Sequence, residues 1–298
     1  MKGLLAMKKL LTFFATMLLC VNLVGCTDLT TNKQRSVATD TYYRDIIDND
    51  ELVVWYDNIK ANLGEQKIVV MNFDGSQGFQ LEYAENIRDV LLAIEMDCPE
   101  LKPITEQYEI DFETLNEDYT SINIVLSLRT DDLSLVNNQI VKAKQKVANF
   151  VATLPEEMTD YEKVIAIHDW ICIDETYDYD MANESHDMLS TILGNSGVCD
   201  SFSGAFKYVC EQVGITCLEV RGMSFNPQTQ GFTEHHAWNI VFIDGKWKAV
   251  DCTYAIQLQD VKGKIPHEYC CMEISDSIKS FRPTTCIIGY SAEQVINE

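Results

Sequence analysis

GVCDSFSGAF, residues 197–206, is the stretch around which the rest of the chain is interpreted. Apolar residues recur at intervals of three and four after Cys199, which predicts a helix with Cys199 in its first turn, facing the core. Gly214 lies where a glycine commonly ends a helix, and Gly197 is expected to let the backbone turn tightly into Cys199. The helix dipole there favours negative charge, and free backbone N–H groups can stabilise an oxyanion. A lone cysteine at a helix start is more often structural, so a catalytic role needs partners.

The partners come from HHAWNIVFIDGKWKAVDCTY, residues 235–254. The Asp244-Gly245 pair predicts a two-residue type I′ turn between two strands. In that register His236 and Asp251 are diagonal neighbours on one face of the hairpin, within reach of a hydrogen bond. The local sequence alone therefore predicts that the carboxylate of Asp251 lies beside the imidazole of His236.

These residue types in this chain order suit nucleophilic cysteine catalysis. Cys199 is the candidate nucleophile, His236 the candidate base, and Asp251 the group that fixes the imidazole tautomer. The acceptor is an amide or ester carbonyl, and water or an amine resolves the thioester. His235 points to the opposite face of the predicted strand and is the weaker candidate. His168 lies on an apolar helical stripe and is expected to be a packed core residue.

Three stretches resemble the transglutaminase-like superfamily, in the bacterial form related to papain-like cysteine enzymes: EKVIAIHDWI upstream, GVCDSFSGAFKYVCEQVGI, and HAWNIVFIDGKWKAVDCTY. The resemblance covers about residues 155–280. It implies an α+β fold with a papain-like core, in which the catalytic Cys lies on a central helix packed against an antiparallel sheet. It also implies the triad of Cys199, His236 and Asp251 and acyl-transfer chemistry. Tyr254 stands where many relatives carry Trp after the Asp-x-Thr motif.

The first residues predict an exported, lipid-anchored protein. A basic start is followed by an apolar run over residues 10–19, too short for a comfortable bilayer span, and by LVGC at residues 23–26. This pattern resembles the bacterial lipoprotein signal. We therefore expect residues 1–25 to be removed, Cys26 to carry the lipid, and residues 26–40 to be a flexible tether. The location expected from this is the extracytoplasmic side of the bacterial cell membrane.

Two folded parts are predicted after the tether. Residues 41–154 contain short strands and amphipathic helices but no catalytic cluster, which predicts a small α+β module. Pro155 marks the expected boundary, and residues 155–298 form the predicted transglutaminase-like catalytic domain. Within it, STILGNSG at residues 190–197 is expected to be a turn-rich approach to Cys199.

Composition excludes some classes of partner and cofactor. The chain has 23 Lys+Arg against 46 Asp+Glu, which argues against nucleic-acid binding because phosphate contacts need clustered cations. Its 11 cysteines include no CxxC pair, so a structural zinc site and a metal-binding redox protein have little support. A cysteine nucleophile with a His base implies no cofactor, and no glycine-rich phosphate loop occurs.

The sequence leaves two function classes open. The leading hypothesis is a membrane-anchored, extracytoplasmic cysteine acyl-transfer enzyme that acts on peptide or protein amide bonds, as a peptidase, amidase or transglutaminase. The alternative is a non-catalytic binding or scaffold protein that uses the same cleft to grip a surface protein or the cell wall. Hydrolysis and amine transfer are not distinguished, and neither is the substrate. Tyr177 is a candidate for the second oxyanion donor.

Overall fold

The computed structural model describes residues 40–77, 81–118, 120–180, 186–226, 229–262, 264–277 and 279–283. These residues belong to one unit, Val37–Glu298. The predicted signal segment and Cys26 lie outside the described residues. Within the described ranges, no helix is both long and apolar enough to cross a bilayer.

The first part of the fold is a three-stranded antiparallel sheet covered by helices. The strand order is β1-β3-β2. β3 (Ile122–Leu128) lies between the two edge strands, and it has three consecutive buried residues. The elements are α1 (Tyr42–Asp45), α2 (Asp50–Asn62), β1 (Lys67–Phe73), α3 (Leu81–Asp97), α4 (Lys102–Thr105), β2 (Tyr108–Thr114) and β3 (Ile122–Leu128).

The second part is built on a five-stranded sheet in the order β10-β6-β7-β8-β9. Every neighbouring pair in it is antiparallel, which confirms the predicted α+β class with an antiparallel sheet. The helix α8 packs on β6 and β7. The elements are α5 (Ser134–Val151), α6 (Asp160–Cys172), β4 (Thr176–Tyr177), α7 (Met188–Gly194), β5 (Ser196–Gly197), α8 (Cys199–Gln212), β6 (Cys217–Asn226), β7 (Gly231–Ile243), β8 (Lys246–Val250), α9 (Cys252–Lys262), β9 (Met272–Glu273), α10 (Ile274–Ser277) and β10 (Phe281–Pro283).

The helix α8 is the centre of the second part. Its residues from Ser201 to Cys210 are all buried, so it is surrounded rather than half exposed. Gly214 has a positive φ of 77°, and the N–H of Ile215 donates to the carbonyl of Cys210 at 3.0 Å, which ends the helix in the way the sequence predicts. A helix enclosed by other elements holds the residue at its start in a fixed place.

The approach to Cys199 differs from its prediction. Residues 190–194 are helical rather than turn-rich, because they continue α7. Asp187 caps this helix by accepting from the N–H of Leu189 at 2.6 Å. The turn begins only at Asn195, which takes the left-handed conformation. Ser190 and Thr191 were therefore misleading turn signals, since the cap upstream and the burial of the helix outweigh their weak helix preference.

The helix α5 bears on the predicted boundary at residue 155. Its buried residues Ile140, Ala143 and Val147 belong to the hydrophobic cluster that contains α8. The first part of the fold has a separate hydrophobic cluster, around α2, α3 and the three-stranded sheet. The boundary at residue 155 stays a prediction. The buried residues of α5 pack against the part of the fold that follows α5.

Candidate active site

Cys199 is the first residue of α8 and is partly exposed. The described cysteines are otherwise buried, apart from Cys271. Gly197 lies two residues before Cys199. Its φ is not positive, so the tight turn expected from the sequence is not the reason for a glycine here. A Cβ at this position would lie 2.4 Å from Ser201 Oγ, and that hydroxyl accepts from the N–H of Val198 at 2.7 Å. Glycine is therefore required by a close approach rather than by a turn.

The hairpin that carries the other two residues has the predicted register. Asn239 pairs with Val250, and Ile243 pairs with Lys246, so the connecting turn contains two residues. Asp244 and Gly245 have φ values of 51° and 77°, as a type I′ turn requires. The position of Asp251 relative to β7 thus follows from a turn that the sequence specifies locally.

Asp251 binds His236 with one carboxylate oxygen and a helix with the other. Its Oδ2 lies 2.6 Å from His236 Nε2. Its Oδ1 accepts from the N–H of Tyr254 at 3.1 Å, which caps the start of α9. Its own N–H donates to the carbonyl of Tyr269 at 2.8 Å. The side chain is fully buried, so each of these bonds restricts the direction in which the carboxylate points.

The imidazole of His236 joins the carboxylate to the thiol. Cys199 and His236 line the same cavity, and the thiol is close enough to affect the pKa of the ring. Since Nε2 is held by Asp251, Nδ1 is the nitrogen left for the thiol. Burial lowers the pKa of His236, but the charge and hydrogen bond of Asp251 and the contact with Cys199 outweigh it and raise the pKa to about 10. The structure therefore brings the three predicted triad residues together.

Aromatic rings fix the plane of this imidazole. Trp238 stacks on it with ring centroids 6.0 Å apart, and Phe281 stacks on it at 5.4 Å. Tyr254 contacts the ring at 5.4 Å. The last residue of the HAWN motif, Asn239, donates its side-chain amide to the carbonyl of Ser203 at 3.0 Å. Asn239 thus joins the strand of the base to the helix of the nucleophile.

A cavity of about 510 Å³ opens beside the thiol and the imidazole. Tyr177 borders it, and burial together with the nearby Cys199 raises the pKa of its hydroxyl to about 12. His235 is exposed on its strand and borders the same cavity. The lining residues are Tyr177, Asp178, Tyr179, His186, Val198, Cys199, Asp200, Arg221, Gly222, His235, His236 and Ala237.

A cluster of charges surrounding Asp200 lies next to the nucleophile and was not anticipated. Lys102 Nζ lies 2.8 Å from Asp200 Oδ2 and also donates to the carbonyl of His186 at 2.7 Å. Arg221 lies 3.9 Å from the same carboxylate and 2.9 Å from Glu219. Burial opposes the charge of Asp200, but His186, Lys102 and Arg221 hold its pKa well below the usual range.

Lys102 reaches this cluster from the first part of the fold. Its place beside the loop before α7 could not be found from sequence spacing, because it lies far from Asp200 in the chain. Asp200 itself offered a signal, since an acidic residue directly follows the candidate nucleophile. The residues 41–154, for which no catalytic cluster was predicted, thus supply a cation that supports the first turn of α8.

Replacing Lys102 by Met is expected to lower the free energy of unfolding by roughly 3 kcal/mol. Lys102 is largely buried, and its loss leaves the carboxylate of Asp200 with fewer counter-charges. Urea unfolding followed by circular dichroism measures the change. The matched control is Lys142→Met on the exposed face of α5, which should stay within about 0.5 kcal/mol of wild type. Equal effects of the two substitutions would refute the proposed importance of this ion pair.

Comparison with known proteins agrees with the geometry. Residues 148–252 match the family described as the transglutaminase-like superfamily. The chain is 38% identical over 133 residues to the kyphoscoliosis peptidase of Homo sapiens, a match covering 40% of this chain and 20% of that protein. It is 28% identical over 138 residues to the Lim and transglutaminase domain protein ltd-1 of Caenorhabditis elegans, covering 42% of this chain and 19% of that protein. The matches thus span about a fifth of these relatives' length.

Solved structures show more distant likenesses. A crystal structure of a TGase is 15% identical, covers 49% of this chain and 44% of its own, and gives a TM-score of 0.35. The periplasmic domain of TgpA from Pseudomonas aeruginosa is 15% identical, covers 51% of this chain and 65% of its own, and gives a TM-score of 0.31. The resemblance predicted from the sequence thus agrees with the family match, which is confined to residues 148–252. The curated relatives named above are animal proteins, so the bacterial lipoprotein form stays a prediction.

Proposed function

We propose that this protein is a cysteine acyl-transfer enzyme that acts on peptide or protein amide bonds through Cys199, His236 and Asp251. The observation that carries the proposal is that the thiol of Cys199 and the imidazole of His236 border one open cavity while Asp251 binds the same imidazole. The match to the transglutaminase-like superfamily supports a peptidase-like or transglutaminase-like activity.

The reaction follows from which atoms face each other. His236 is protonated below about pH 10, so its Nδ1 holds the proton of Cys199 in a thiolate–imidazolium pair, and Cys199 Sγ attacks the carbonyl carbon. The first-turn N–H groups of α8 lack acceptors within the helix and can stabilise the oxyanion. His236 then protonates the leaving amine, and a thioester remains on Cys199. Water yields a carboxylic acid and an amine acceptor yields a new amide, and both restore the thiol. Tyr177 is proposed as a further oxyanion donor because it borders the same cavity.

The proposal is tested by trapping the thioester. The full chain is mixed with a peptide library, quenched in acid, and digested, and the mass added to the Cys199 peptide identifies the acyl group. Repeating the reaction with an added primary amine distinguishes transfer from hydrolysis. Iodoacetamide labelling at neutral pH gives a second readout, in which Cys199 should react faster than the buried Cys98 and should slow in His236→Ala. If no acyl adduct forms and both thiols react alike, the proposed activity is wrong.

The ring of His236 is expected to titrate with a midpoint near pH 10 in the folded protein. The folded pKa lies above the usual value of about 6.5, so the proton stabilises the fold fully below about pH 6.5. That contribution is lost as the pH rises through about 10. The measurement is an NMR titration of the imidazole carbon, with Asp251→Asn shifting the midpoint downward because the counter-charge is removed. A wild-type midpoint near 6.5 would contradict the strong pairing with Asp251.

We also propose that Cys26 carries a lipid and places the enzyme on the outer face of a bacterial cell membrane. The support is the sequence pattern before Cys26, which lies outside the described residues. Expression in a bacterial host with a labelled fatty acid should label the wild type and move it into the detergent phase. Cys26→Ser should remain unlabelled and unprocessed. Equal labelling of both chains would exclude this anchor. Substrates expected at that location are cell-wall peptides and surface proteins.

A further inference from the structure

A cluster of sulfur and nitrogen donors lies directly behind the candidate triad. His168, Cys172 and Cys252 are all buried, with at most 3% of each residue exposed. One donor atom from each residue lies within 4.8 Å of the other two. Cys172 Sγ lies 3.8 Å from His168 Nε2. Two thiols and an imidazole thus point into a common space that is closed to solvent.

Two packed helices bring these donors together. His168 and Cys172 are one turn apart on α6, so their side chains lie on the same face of that helix. Cys252 is the first residue of α9, directly after Asp251. The helices α6 and α9 pack against each other in the second part of the fold. The arrangement lacks a CxxC pair because its donors follow a His-x-x-x-Cys spacing and a distant cysteine.

The other nitrogen of His168 is already engaged. Its Nδ1 lies 3.2 Å from Asp169 Oδ1, and the same oxygen lies 2.7 Å from His267 Nε2. Since a carboxylate only accepts hydrogen bonds, Nδ1 carries the proton and Nε2 keeps its lone pair towards Cys172. A carboxylate on the far nitrogen is how metal-binding histidines are commonly oriented.

We propose that His168, Cys172 and Cys252 bind one Zn²⁺ ion. Zinc prefers thiolate and imidazole ligands, and its bond lengths put sulfur and nitrogen ligands about 3.5 Å apart, close to the observed separation. Binding forms two Zn–S bonds and one Zn–N bond, and the two thiol protons pass to solvent. The two thiolates cancel the charge of the ion, so the buried site is neutral.

Cys271 is the candidate that we consider for a fourth ligand. Its thiol packs against the hydrophobic cluster that contains Cys172 and Cys252, and it is only partly buried. The three ligands from the protein define the site without it. Because Cys252 follows Asp251, an ion at this site would tie the start of α9 to α6.

Metal content tests the proposal without any measure of activity, so its failure is separate from that of the proposed enzyme. The full chain, expressed in zinc-supplemented medium and desalted, is analysed by elemental mass spectrometry. About one zinc per chain is expected in the wild type and in Cys98→Ser, a buried thiol outside the cluster. Cys172→Ser and His168→Gln should lose it. Equal zinc in the wild type and these two variants overturns the proposal.

Cobalt substitution gives a readout that does not depend on a variant folding. The wild-type chain loaded with Co²⁺ should show the near-ultraviolet charge-transfer absorption of cobalt–thiolate bonds, and zinc should displace it. No such absorption in the wild type, or an intact mass showing a disulfide between Cys172 and Cys252, overturns the proposal.

Discussion

Cys199→Ala is expected to lower acyl transfer by about 10⁴-fold or more while the protein stays folded. The thiol forms the covalent bond to the substrate, so no neighbouring group can take over its step. Its side chain is partly exposed, and its removal leaves little unfilled space in the core. The rate is measured with a fluorogenic peptide chosen from the acyl groups trapped on the wild-type enzyme.

Cys98→Ala is the matched control for this loss. Cys98 is a buried thiol in the first part of the fold, where its Sγ contacts the carbonyl of Asp40 at 3.7 Å. The control should keep nearly the wild-type rate, and circular dichroism should show both variants folded. If Cys199→Ala kept more than a tenth of the activity, the cysteine mechanism would be refuted.

Substitutions at Asp251 are expected to separate catalysis from stability. Asp251→Ala removes both the partner of His236 and the cap of α9, and should cost roughly 3–5 kcal/mol of unfolding free energy along with most of the activity. Asp251→Asn should cost less than Asp251→Ala, because its amide oxygen can still accept from the N–H of Tyr254.

The Asn variant should nevertheless lose about 10³–10⁴ of the catalytic rate. With the amide oxygen used by Tyr254, the NH₂ group faces His236 Nε2 and forces that nitrogen to be an acceptor. The proton then moves to the nitrogen that should receive the thiol proton. Urea unfolding and peptide turnover are measured on the same preparations. An active Asp251→Asn, or an Asp251→Ala as stable as wild type, would contradict the double role of this carboxylate.

The hairpin could be predicted from sequence because its geometry is local. A two-residue Asp-Gly turn sets the strand register, and the paired strand ends at Val250, directly before Asp251. The helix that begins at Cys199 could be predicted equally well, because its apolar spacing and the glycine that ends it lie within one short segment. These elements, together with the antiparallel sheet, make up most of the candidate site.

The remaining features depend on contacts between distant segments. The salt bridge between Lys102 and Asp200 joins residues 98 positions apart, and the sequence around Lys102 does not indicate it. The strand β2 has no clear alternating pattern in the sequence, because it lies at a sheet edge where only Tyr108 is buried and Phe112 is 47% exposed. The sequence does not indicate that Asp251 caps α9, because the segment VDCTY is equally typical of the end of a strand.

The salt bridge between Lys102 and Asp200 has a consequence for how fragments of this protein can be chosen for expression and recombination. The match to the superfamily begins at residue 148, yet the carboxylate beside the nucleophile depends on a lysine before it. A fragment designed from the family match alone would leave Asp200 without that cation. Grafting residues 148–252 onto a relative would require a cation supplied at the equivalent place. The functional unit for expression and exchange is therefore longer than the segment that defines the family.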